Sequence, residues 1–128
     1  MNELTNLTIL VVDDEPLIRE ILEFEIQSFG AKTLQAENST TAINLIQKNK
    51  IDVVISDVTM PGGGGLELAE ALFHMKCPKP LLFLCSGFGD NTAHRALELG
   101  VSEIFPKPFD REMMLSSIQK ALAGRKEA

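Results

Sequence analysis

Short apolar runs alternate along the chain with stretches whose apolar positions recur every three or four residues, and the alternation holds from one end to the other. Runs of the first kind suit buried strands, and stretches of the second suit helices with one face against a core. The predicted strands are 7–12, 32–36, 53–56, 80–85 and 103–105. Three are nearly all apolar, as parallel strands covered on both faces should be. Five strand-helix units in alternation predict an α/β fold. It is a single doubly wound, five-stranded parallel sheet with five helices, for which 2-1-3-4-5 is the commonest strand order.

The first helix begins near Pro16, which suits a first helical turn. It sets Ile18, Leu22, Ile26 and Phe29 on one face and stops at Gly30. The second starts near Ser39 and offers Ala42, Leu45 and Ile46, while the third carries Leu66, Leu68, Ala69 and Leu72. The fourth, near 91–99, is short and alanine-rich, with a thin apolar stripe, and is expected to be the most weakly held. The last has Asp110 as its cap, a hydrophobic staple of Phe109 on Met114, and Gly124 as its end.

Composition narrows the picture further. A chain of 128 residues with 45% hydrophobic content fits one domain, residues 1–128 with a core over about 6–124. At that length roughly two-thirds of the unfolded surface can be buried, so no metal or disulfide staple is needed. Cys77 and Cys85 lack metal-ligand spacing and read as reduced core thiols, which suits a cytoplasmic location. The start MNELTN has no signal-peptide character, and no apolar stretch approaches the roughly 20 residues of a membrane span. The net charge of -6 disfavours a nucleic-acid surface, which needs clustered Lys and Arg. Met1 and the short tail after Gly124 read as the ends of a single-domain chain, with a piece of a longer protein as the alternative.

In an open parallel sheet, ligand sites form beyond the carboxyl ends of strands where the strand order reverses. Asp13 and Asp14 end the first strand and Asp57 the third, so the predicted order brings three carboxylates into one pocket. At about 5 Å and an effective dielectric near 20, each like pair costs on the order of 3 kcal/mol, so positive charge must compensate. Lys107, just past the fifth strand, supplies one charge. A hard divalent cation closes the balance, and Mg²⁺ (or Mn²⁺), content with one or two carboxylates and several waters, suits this donor set. Taken alone, an acid pair after a strand is more often a helix cap or a turn. The constellation of acid pair, Asp57, Ser86 and Lys107 on four strand ends carries the metal reading.

Read together, LVVDDEP, ISDVTMPGGGG, FLCSG and FPKPF resemble the response-regulator receiver domain of two-component signalling, over essentially the whole chain. The resemblance implies a flavodoxin-like fold and a phosphoryl group accepted onto Asp57 from a histidine kinase or phosphotransfer protein. Asp13, Asp14, Asp57 and the backbone carbonyl of Thr59 are implied to hold Mg²⁺. Lys107 would bind a phosphoryl oxygen, and Ser86 would serve as the switch hydroxyl. The output would be binding of a downstream effector protein through the face of the fourth helix, fifth strand and fifth helix. Physically, a carboxylate is a weak nucleophile, so transfer depends on position and on positive charge offered to the phosphoryl oxygens.

The pattern departs from the family where an aromatic residue usually stands three positions before the lysine. Here that position is Ile104, and the neighbouring Phe105, facing the other side of its strand, reads as core. Phe88, two after Ser86, is expected to shield the acyl phosphate partly from water. His74 and His94 read as surface residues. An aspartyl-phosphate phosphatase would resemble D-x-D-x-T/V, and Thr59 stands where its second acid should be, so the chain is not read as an enzyme. A constitutive binding module is disfavoured because every charged site residue is present. A receiver within a hybrid kinase or larger regulator remains an alternative. The run Gly62 to Gly65 is not a nucleotide-binding loop, because Leu66-Glu67 comes next instead of Lys and a hydroxyl. It is expected to be a loop of unusual freedom beside the metal site, ordering when Mg²⁺ and phosphoryl bind.

Overall fold

The computed structural model describes residues 3–58, 60, 63–76, 79–86, 93–106 and 110–127. Its elements alternate as the pattern predicts: β1 (Thr8–Val12), α1 (Pro16–Ser28), β2 (Lys32–Ala36), α2 (Ser39–Lys48), β3 (Val53–Asp57), α3 (Gly65–His74), β4 (Leu81–Ser86), α4 (Ala93–Glu98), β5 (Glu103–Pro106) and α5 (Arg111–Glu127). The strands form one parallel sheet in the order β2-β1-β3-β4-β5, as expected.

Strand side chains alternate between faces, and the sheet therefore separates two cores. Leu10, Val12, Val54, Leu82 and Leu84 meet α2, α3 and α4 through Ala42, Ile46, Leu68, Leu72 and Ala96. Ile9, Val11, Val53, Ile55, Phe83 and Phe105 meet α1 and α5 through Leu22, Ile26, Met114 and Ile118. This double burial is why the strands read as continuous apolar runs. Cys85 is buried in the second core; Cys77 lies outside the described residues.

Helix ends obey local chemistry. Pro16 opens α1, and Gly30, at φ 97°, turns the chain after it. The Asn38 side chain accepts the Thr41 amide at 2.9 Å and caps α2. Asp110 caps α5 by accepting the Glu112 amide at 2.8 Å, as expected, whereas Phe109 of the expected staple lies outside the described residues. After α4, the Val101 amide donates to Ala96 O and the Gly100 amide to Leu97 O, both at 3.1 Å. This is a Schellman turn with Gly100 at φ 85°.

One expected boundary is corrected: α5 does not end at Gly124 but runs on to Glu127. Gly124 is absent from the positive-φ positions and would meet nothing within 4 Å if given a Cβ. An exposed helical glycine costs about 1 kcal/mol relative to alanine, too little to stop a helix that helix-forming residues continue.

Candidate functional site

The register of the sheet puts the acids together. Val12 pairs with Ser56, so the next residues, Asp13 and Asp57, leave neighbouring strands at the same level. Asp13, Asp14 and Asp57 each offer a carboxylate oxygen, and these atoms all lie within 4.8 Å of one another. Asp13 is buried, at 3% exposure, Asp57 half-buried and Asp14 exposed. At that separation each like pair costs about 3 kcal/mol at an effective dielectric of 20. The cluster is thus an acidic pocket whose all-oxygen donor set suits a hard cation.

The frame around the pocket is hydrogen-bonded backbone. The Asp13 amide donates to Ala36 O at 3.1 Å, and Asp13 Oδ1 accepts the Glu15 amide at 2.9 Å. Within the acid pair it is therefore Asp13 that does the turn-forming work, and it is an acid of the pocket as well. Arg19, on α1, donates through Nη1 to Asp13 O at 2.6 Å and through Nε to Gln35 Oε1 at 2.7 Å. Sequence reasoning missed Arg19, because a single arginine on the polar face of a helix carries no sign that its partner is a backbone carbonyl of another segment.

Asp57 pairs with Cys85 on β4, so Ser86, half-buried, stands one residue further out on the strand beside it. Ser86 in turn pairs with Pro106, the last residue of β5. Lys107 comes directly after and, with Thr59 and Phe88, lies outside the described residues. The structure thus brings Asp13, Asp14 and Asp57 together and sets Ser86 on the adjoining strand end. Ile104 pairs with Leu84 and is partly buried on the α2-α3-α4 side. Phe105 is fully buried on the other side and stacks on Phe83, with centroids 5.4 Å apart and rings within 5° of parallel. Phe105 is core, as expected, and Ile104 holds the position facing α4's side of the sheet. His74 and His94 are exposed.

The glycines beside Asp57 do not behave as spare length at the described positions. A Cβ on Gly64 would lie 2.1 Å from Val58 O, and one on Gly65 would lie 2.7 Å from Asp57 O and 2.6 Å from a Leu84 methyl. The Gly65 amide donates to Val58 O at 3.0 Å, and the Gly64 amide to Glu67 Oε1 at 2.8 Å. Expected freedom gives way here to close backbone approach, the other reason a chain uses glycine.

Comparison with known proteins agrees with this architecture. The family model described as the response regulator receiver domain matches residues 9–119. The phosphate regulon transcriptional regulatory protein PhoB of Pseudomonas aeruginosa is 31% identical over 117 residues, covering 90% of this chain and 51% of that protein. The sensor histidine kinase RcsC of Escherichia coli is 29% identical over 113 residues, covering 88% of this chain and 12% of that protein. The chain thus spans about half of the first of these curated relatives and far less of the second. A crystal structure of a response regulator receiver domain protein from Clostridium thermocellum superposes with a TM-score of 0.87 at 29% identity, covering 94% of this chain and 97% of that one. With the match running through nearly the whole sheet, the chain belongs to the response regulator receiver domain family.

Proposed function

We propose that Asp57 is the phosphoacceptor of this receiver domain, acting with Mg²⁺ held by Asp13, Asp14, Asp57 and the backbone carbonyl of Thr59. The observation that supports this reading is the placement of the three carboxylates, with oxygens within 4.8 Å, at the carboxyl edge of β1 and β3. A carboxylate oxygen of Asp57 attacks phosphorus, the bond from phosphorus to the donor nitrogen breaks, and an acyl phosphate forms. Bound Mg²⁺, or Mn²⁺, supplies positive charge that offsets the carboxylates and the phosphoryl oxygens. Arg19 braces the Asp13 carbonyl and the Glu15 amide braces its side-chain Oδ1, which positions this acid for the cation. Lys107 offers a further positive charge and Ser86 a hydroxyl to the phosphoryl group.

The donor in this reading is a histidine kinase or phosphotransfer protein. It covers α1, the helix that follows the acid pair, where Leu17, Ile21 and Phe24 stand out at 65%, 50% and 75% exposure. The product is a cytoplasmic signalling switch rather than a turnover enzyme, read out by an effector protein on the face of α4, β5 and α5. The whole chain acts as one receiver unit, and its span of PhoB and RcsC supports the same chemistry in a larger regulator or hybrid kinase.

The test is incubation with acetyl phosphate and Mg²⁺ and then measurement of intact mass. Wild type should gain one phosphoryl group, and Asp57→Asn none. No gain in wild type, or equal gain in the variant, overturns the assignment.

A further inference from the structure

We propose that α2 is a positioning element of the acidic site, joined to it through the contact between Ser39 and Gly63. Among the described residues the buried polar side chains are Asp13, Ser39 and Ser56. Asp13 and Ser56 belong to the strand ends that form the site. Ser39 belongs to a different element, the first turn of α2, and Gly63 lies directly against it.

The Ser39 amide, one of the donors a helix start leaves unmatched, donates to Gly63 O at 3.1 Å. Gly63 has φ 114°, and a Cβ there would lie 2.2 Å from Ser39 Oγ. Only glycine lets the chain rest on α2 in this way. From Gly63 the chain passes at once to Gly64 and Gly65, which press on the carbonyls of Val58 and Asp57 at would-be Cβ distances of 2.1 and 2.7 Å. Three consecutive glycines therefore connect α2 to the backbone of the phosphoacceptor strand with no flexible side chain between. A close-packed link of this kind passes a displacement on rather than absorbing it.

The inference rests on the proposed metal site. Coupling between binding and conformation is reciprocal, so if α2 sets the geometry that holds the cation, the cation is felt at α2. Ser39 and Gly63 are positioning residues in this scheme, and neither needs to touch metal or phosphoryl.

The experiment uses the full chain and two readouts. Mn²⁺ affinity is measured by electron paramagnetic resonance of the free ion, and amide hydrogen exchange is tracked over residues 39–43 with and without Mg²⁺. In wild type, Mg²⁺ should slow exchange in this first turn of α2. Gly63→Ala should weaken Mn²⁺ binding about tenfold and abolish the response at α2, within the usual range of coupling between sites. Adding Ser39→Ala removes the hydroxyl and leaves the new Cβ 3.4 Å from the residue 39 Cβ, an ordinary contact, so the double variant should recover part of the affinity. Wild type that binds Mn²⁺ with unchanged α2 amides overturns this inference alone. Wild type that binds no Mn²⁺ overturns the metal reading and this inference with it. Should Gly63→Ala fail to fold, the wild-type exchange comparison decides by itself.

Discussion

The Asp13 side chain accepts the Glu15 amide at 2.9 Å and at the same time stands with Asp14 and Asp57 in a cluster of carboxylates within 4.8 Å. Asparagine keeps the acceptor and removes the charge, so Asp13→Asn separates the two. Relief of repulsion should stabilise the metal-free protein by about 2 kcal/mol, discounted from the unscreened pair energies because Asp14 is exposed to water. If the proposed metal site is right, Mg²⁺ should raise the melting temperature of wild type through mass action, and the same variant should lose that rise. Thermal unfolding of both proteins with and without Mg²⁺ checks the two effects; a less stable Asp13→Asn in metal-free buffer would show that the protein alone already compensates the acids. These acids were legible in the sequence because they stand directly after apolar runs, which fixes them at strand ends. Arg19 was not, since its partner Asp13 O belongs to the backbone and no side-chain pattern marks a carbonyl.

Gly100 and Gly124 show how far a helix end can be read at the scale of an element. Both come after alanine- and leucine-bearing helical stretches, yet Gly100 sits at φ 85° in a Schellman turn while Gly124 continues α5. The two differ in the demand on the residues beyond them. Val101 must return to the core at once, being 4% exposed, so α4 has to stop, whereas Arg125-Lys126-Glu127 are good helix formers that need no reversal. A glycine ends a helix where the chain beyond it must turn, and beyond Gly124 it need not. Alanine substitution should therefore act with opposite signs. Gly100→Ala should destabilise by about 1 kcal/mol through its positive φ, and Gly124→Ala should stabilise by roughly 0.4–1 kcal/mol. Urea midpoints at constant slope measure both. The fourth helix fits the thin stripe expected of it, since Ala96 is its buried described side chain and Leu97 points to solvent.

At the scale of the whole molecule, the alternation of apolar runs and helical patterns carried the fold, because a sheet buried on both faces leaves that signature in every strand. It also marked the core face of α1; what it could not carry was the role of the apolar positions left over on that helix. That helix has Ile18, Leu22, Ile26 and Phe29 turned toward the core shared with β1 and α5, and a second row, Leu17, Ile21 and Phe24, turned to solvent. The spacing of the second row is as helical as that of the first, so periodicity alone does not distinguish a core face from a binding face. In the sequence Glu20 falls within this row and the acid pair precedes it, on a chain of net charge -6. If, as proposed, Asp57 accepts the phosphoryl group, a protein donor has to bring its phosphohistidine to the end of the sheet where α1 begins and would meet this stripe; acetyl phosphate is small enough to reach Asp57 without it. Leu17→Ala with Phe24→Ala should slow transfer from a phosphorylated protein donor about tenfold, in line with truncating apolar anchors at an interface. Labelling by acetyl phosphate should be unchanged, because both side chains are already in water and lie outside the acidic cluster. Rates measured with both donors on the same preparations decide the matter: equal slowing would place the stripe's effect in the site itself, and no slowing with either would remove α1 from the donor interface.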